Sequence, residues 1–262
     1  MNDDPVILEI RPAEANAPGL DQPASVAWLT INRAAKSNAL NPATMSAFVA
    51  AVKQAAEDDT VRALVVTGAG DRAFVAGADI ATMGALDEDT AREFITAVHH
   101  CCDAVRLFPA PVIARMNGVA FGAGLELAAA CDIRIAADDI MLGMPEVKLG
   151  IPSVVEAALL PGLIGWGRTR EILLLGDNFD AHRAEQWGLI NRVVPRATLD
   201  EQVDEILTSL LANGPQSVRA QKALMTTWEQ LPLAQAITAG IDKFAASWQT
   251  DEPTRMLRAW RR

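Results

Sequence analysis

Two glutamates occupy settings where an ionised side chain is costly to bury unless it is paired or used. Glu126 closes the run Asn117-Gly-Val-Ala-Phe-Gly-Ala-Gly-Leu-Glu126, and Glu146 lies in Met144-Pro-Glu146-Val-Lys-Leu-Gly-Ile-Pro152. A third segment, Phe74-Val-Ala-Gly-Ala78-Asp79-Ile80, adds a glycine turn able to present bare backbone N–H groups. Two acids can move protons beside a carbonyl, and two N–H sources can hold the oxyanion that the carbonyl becomes.

Each segment also has a plainer reading. Phe121-Gly-Ala-Gly124 precedes a helical stretch, whose first N–H groups have no internal acceptor and whose dipole favours negative charge. Small residues at Ala123 and Gly124 let a substrate oxygen approach those donors, or simply let a helix pack tightly on a strand. The glycine spacing is wrong for a dinucleotide fingerprint. Glu126 is either a carboxylate on its own helix N-terminus or a desolvated acid with a pKa raised towards proton transfer. Glu146 is either a loop acid poised for chemistry or the ion-pair partner of Lys148 or of an arginine elsewhere. Asp79 reads as structural, bonding its own turn while Ala78 offers its N–H.

Composition removes other chemistries. Tyrosine is absent, which excludes any mechanism with an obligatory tyrosine. His99, His100 and His182 sit in no nucleophile–base context; His99 and His100 read as helix-face or interface residues. Cys101, Cys102 and Cys131 fit reduced, buried thiols rather than a disulfide framework, and their spacing does not suggest zinc. A formal net charge of -10 repels phosphate backbones, so no nucleic-acid partner is expected. A small anionic ligand needs only a local basic patch, from Arg33, Lys36 and Arg72 or from Arg255, Arg258, Arg261 and Arg262. No apolar run reaches membrane-spanning length, and the acidic N-terminus lacks the features of a secretory signal, which points to the cytoplasm.

The elements that position these groups read as an α/β chain. Strands are expected at Val6–Ile10, Ser25–Asn32 and Val61–Thr67, with an exposed connection over Arg11–Pro23. Asn41-Pro42 starts a helix whose Met45, Phe48, Val49 and Val52 recur at helical spacing. A long helix ends before Pro109, followed by a strand at Pro111–Met116 and a short apolar helix at Leu125–Ala130. Strands follow at Asp132–Ala137, Ile140–Gly143 and Leu189–Val194. Ser153 is expected to cap a helix over Val154–Leu160, with Trp166–Leu175 and Ala181–Trp187 as further helices. From Leu199 onward the pattern is helical, broken at Asn213-Gly-Pro215 and near Leu231-Pro232.

Taken in order, these segments resemble the enoyl-CoA hydratase/isomerase (crotonase) superfamily. The match runs through Arg33-Ala-Ala-Lys-Ser-Asn38-Ala39-Leu40, Phe74–Ile80, Asn117–Glu126 and Pro145–Pro152. It continues over Gly176-Asp177 and Ala184–Val194, so that nearly the whole chain from Val26 is covered. The resemblance implies a spiral of ββα units over residues 1–196, followed by a helical assembly region over 197–262 that packs homotrimers or dimers of trimers. It implies an oxyanion hole from the Ala78 and Ala123 N–H groups. Glu126 would activate water and Glu146 would protonate the α-carbon of a 2-enoyl-CoA thioester. Arg33, Lys36, Ala39, Ala76, Asp79 and Ile80 would lie along coenzyme A, with Gly124 and Ser153 also at the substrate. No metal or redox cofactor is implied, since coenzyme A belongs to the substrate.

The chain departs from the family pattern at several places. Ala123 stands where glycine is usual, Met144 where glutamine is frequent, and Ala81 where a lysine often meets coenzyme A. Ser153-Val-Val-Glu156 replaces a glycine-rich stretch whose amide often helps place water, a task that Ser153 would inherit. Glu156 adds a third acid, read as a helix first-turn residue or as a group that handles an unusual acyl chain. Met83–Leu86 is expected to shape acyl specificity. The paired acids favour hydration over isomerisation. Hydrolysis, decarboxylation and a non-catalytic coenzyme A binder remain as alternatives.

Overall fold

The computed structural model describes residues 4–13, 17–18, 20 and 23–261. Strands β1 (Val6–Pro12) and β2 (Ser25–Ile31) form an antiparallel hairpin. Their connection falls partly outside the described residues. Within it Ala17 and Leu20 are buried, so those two positions are not part of an exposed excursion. Helix α1 (Pro42–Ala56) starts where Asn41 accepts the Thr44 N–H at 2.9 Å and Pro42 takes a position that needs no donor. Its Met45, Phe48 and Val52 enter the core.

From there the chain repeats one pattern. A long strand joins a first sheet, a three-residue strand joins a second, and a helix or helical turn follows. β3 (Val61–Gly68) and β4 (Ala73–Val75) lead to α2 (Ile80–Met83) and α3 (Glu88–Arg106). β5 (Val112–Met116) and β6 (Val119–Phe121) lead to α4 (Ala123–Ala130). β7 (Ile133–Ala137) and β8 (Met141–Gly143) lead to a 3-10 turn at Glu146–Leu149. The first sheet has the order β1-β2-β3-β5-β7-β10 and the second β4-β6-β8-β9, with β9 at Phe179–Asp180 and β10 at Arg192–Val194. Most pairings are parallel, and β3 is buried along its whole length, as a strand covered on both faces must be. This is the expected spiral of ββα units.

Asn117 ties successive turns of the spiral together. Its amide donates to the Gly68 and Gly70 carbonyls at 2.8 and 2.6 Å, and its Oδ1 accepts from the Gly68 N–H at 3.2 Å. The bend after β5 is thereby joined to the bend after β3, which brings β4 and β6 side by side.

Three local expectations are corrected. Ser153 does not cap a helix: Val155–Leu159 is a 3-10 turn entered through Val154 without a side-chain cap. The helix expected at Trp166–Leu175 starts earlier, as α5 (Leu160–Leu175), and is kinked at Gly165. The strand expected at Leu189–Val194 is reduced to β10, because the chain is still leaving the turn that follows α6 (Ala181–Gln186), with Gly188 at φ 82. Helices α7 (Leu199–Leu211), α8 (Pro215–Trp228), α9 (Leu233–Ser247) and α10 (Glu252–Trp260) complete the described chain. Among the described residues no helix is long and apolar enough to cross a membrane.

Candidate active site

β4 and β6 run parallel, with Ala73 opposite Val119 and Val75 opposite Ala120. Parallel neighbours deliver their C-terminal ends to the same edge, so the segments holding Ala78 and Ala123 emerge together. The Ala76–Ala78 loop is braced by the Arg33–Leu40 segment. The Ala76 N–H donates to Ser37, the Leu40 N–H to Gly77, and the Asp79 N–H to the Leu40 carbonyl, at 3.1, 2.8 and 2.8 Å. That ladder uses the groups on either side of Ala78, whose own N–H has no acceptor among the described residues. Ala123 opens α4, where an N–H has no intrahelical acceptor.

Two glycines make the geometry possible. Gly122 has φ 48, and a Cβ there would fall 2.1 Å from Oε1 of Glu146. Gly124 lies under β4, where a Cβ would meet the Val75 carbonyl oxygen at 2.0 Å. The smallness of Gly124 is therefore demanded by strand–helix packing.

Ala78, Ala123, Glu126 and Glu146 all lie on the wall of one cavity of about 810 Å³. The Ala157 N–H donates to Oε1 of Glu126 at 3.2 Å. Glu126 is thus held by the Val155–Leu159 turn. Burial, with the neighbouring charges of Glu146 and Glu156, pushes its pKa up to about 8, and the Ala157 bond opposes that rise. Glu146 accepts the Ser153 hydroxyl at 2.8 Å. Lys148 pairs with Asp177 at 2.6 Å, so the Lys148 ion pair offered as a plain reading of Glu146 is not made. Met83, Leu86, Phe94, Ile95 and Val98 supply an apolar wall to the cavity.

The other sequence-nominated residues divide. Ala76 and Ile80 line the cavity, and Ile80 is exposed at its edge. Arg33, Lys36, Ala39, Asp79, Gly124 and Ser153 are not among the cavity-lining residues. Arg33 bonds the Ala39 carbonyl and reaches Asp79 at 3.1 Å, so its charge braces the loop. Asp79 caps α2 through the Thr82 N–H, and this bond with the Arg33 partnership outweighs burial to hold its carboxyl below the ordinary value. The three cysteines are free and buried, and burial raises each thiol's pKa. Sequence reasoning missed the partnership of His99 with Glu156, whose Nδ1 and Oε1 stand 2.7 Å apart.

The chain is similar to known proteins along most of its length. The enoyl-CoA hydratase/isomerase family profile matches residues 21–260. Crotonyl-CoA hydratase of Syntrophomonas wolfei is 37% identical over 242 residues, covering 92% of this chain and 93% of its own. Short-chain-enoyl-CoA hydratase of Clostridium acetobutylicum is 33% identical, covering 94% and 95%. The crystal structure of enoyl-CoA hydratase from Bacillus anthracis superposes with a TM-score of 0.87 at 31% identity, covering 96% and 95%.

Proposed function

The chain belongs to the enoyl-CoA hydratase/isomerase family, whose members act on acyl-CoA thioesters, and from that premise we propose that it adds water across the 2,3 double bond of a 2-enoyl-CoA. The observation that carries the proposal is the convergence of Glu126, Glu146, Ala78 and Ala123 on one cavity.

In this reading the thioester oxygen sits between the Ala78 and Ala123 N–H groups. Water held by the two carboxyl groups attacks C3 and gives its proton to Glu126. The alkene electrons move onto the thioester oxygen as an enolate, stabilised by the two donors; one such donor is worth about 2.7–4 kcal/mol in a transition state. The enolate collapses as C2 takes a proton from Glu146. Atoms balance, because one proton leaves the water and one arrives at carbon, and the two acids exchange roles until the proton is returned. A pKa raised to about 8 makes Glu126 a stronger base than an ordinary carboxylate, while its ionised form becomes scarcer at neutral pH. In this reading the route uses acids and amides of the chain and no cofactor beyond the substrate's coenzyme A.

The apolar wall suits a hydrocarbon acyl chain. The coenzyme would run outwards past Ile80, with Arg33, Lys36 and Ala39 beyond the cavity edge. We assign assembly to the helices after residue 196: Leu233, Ile237, Ile241 and Phe244 of α9 and Trp260 of α10 present large apolar side chains to solvent in the single chain, as a homotrimer contact would require.

The test is a panel of acyl-CoA thioesters followed by loss of the conjugated chromophore and by release of free thiol. Hydration removes the chromophore without thiol. Thiol release at the same rate would make the protein a hydrolase and overturn the proposal.

A further inference from the structure

Glu156 is a buried acid that the proposed reaction does not use. It is 5% exposed, its Oε1 meets His99 of α3, and its Oε2 is enclosed without a hydrogen-bond partner among the described residues. Enclosing a half-satisfied carboxylate costs free energy. The fold carries that cost beside the reaction centre.

The turn that bears Glu156 is itself strained. Val155, a β-branched residue, has φ 39, in the left-handed region that such side chains rarely adopt. Two residues later the Ala157 N–H is shared between the Val154 carbonyl at 2.9 Å and Oε1 of Glu126 at 3.2 Å. A turn in an unfavourable conformation therefore aims an amide at a carboxyl group in the cavity wall. Such a turn needs an anchor, and the Glu156–His99 contact supplies one by fastening it to α3.

We propose that Glu156, gripped by His99, is a positioning residue: it fixes the Val155–Leu159 turn so that the Ala157 amide holds Glu126, and it sets a third acid near Glu126. This rests on the reading of Glu126 as the base that activates water.

The groups surrounding Glu156 come from several elements. α3 contributes His99, Cys101 and Cys102, and α4 contributes Glu126. Glu146 also acts on Glu126, and its effect exceeds that of Glu156. The thiols are raised chiefly by burial, which leaves Glu126 and His99 as the partners through which Glu156 acts.

Glu156→Gln tests this while keeping shape and a hydrogen-bonding oxygen. The probe is crotonyl-CoA hydration, with kcat and KM measured from pH 6 to pH 9.5. Loss of the charge should move the Glu126-dependent limb of kcat/KM to lower pH. KM should change little. A uniform loss of rate at every pH, or a loss of thermal stability with limb and kcat unmoved, would make Glu156 a packing group and overturn the proposal. Glu126→Gln separates the two readings. If wild type shows no limb that Glu126→Gln removes, the base assignment has failed. If that limb exists but Glu156→Gln leaves it in place, only the role of Glu156 has failed.

Discussion

Gly122 and Glu146 leave no room for a methyl group between them: a Cβ on Gly122 would lie 2.1 Å from Oε1 of the carboxylate. The Gly122 backbone, at φ 48, is also one that alanine adopts only under strain. Gly122→Ala should cost about 1–3 kcal/mol of stability. It should also lower kcat by about 10²-fold through displacement of Glu146 and the adjoining Ala123 amide. Steady-state kinetics beside a thermal melt check this. A folded Gly122→Ala protein with wild-type kcat would show that Glu146 is not held where hydration needs it.

The pH dependence of turnover follows from Glu126. Its carboxyl is protonated below a pKa of about 8, and only the ionised form can take a proton from water. Glu146 must still carry the proton it gives to C2, so hydration needs the two acids to hold one proton between them. The kcat/KM should therefore be bell-shaped with a Glu126-dependent limb near pH 8, and Glu126→Gln should erase that limb. A profile that is flat between pH 6 and pH 9 would contradict the assignment.

The same group sets a stability trend of known sign. Its folded pKa lies above the ordinary value of 4.5, so the folded state binds more protons than the unfolded state between those values. The stabilisation is complete below about pH 4.5 and is lost as pH rises to about 8. Glu126→Gln, which cannot ionise, escapes that loss. The melting temperature of the variant relative to wild type should climb by about 5 °C or more between pH 5 and pH 9, for a difference on the order of a few kcal/mol. A gap independent of pH would mean that Glu126 ionises without penalty.

Much of this was legible in the sequence where a pattern was long or chemically emphatic. Asn41-Pro42 announced α1, and the apolar run Val61–Thr67 announced β3. β8 was read to within one residue, but β4 and β6 were missed as strands, because three residues carry no readable alternation and their pairing is decided by neighbours distant in sequence. The glycine turns at Gly77 and Gly122 could be seen, but not that the Arg33–Leu40 segment braces one of them through backbone bonds. Ser153 was misread as a cap because its hydroxyl serves a carboxylate seven residues earlier. His99 and Glu156 are 57 residues apart and meet only because α3 passes over the Val155–Leu159 turn, a contact that no local signal announces.

The most direct measurement is hydration of crotonyl-CoA by Glu126→Gln and Glu146→Gln, alongside the affinity of each variant for an unreactive acyl-CoA thioester. Each substitution removes one proton-transfer group and keeps its shape. The rate should fall by about 10²–10⁴-fold in each while the thioester still binds. Wild-type rates in both variants would contradict the paired-acid account.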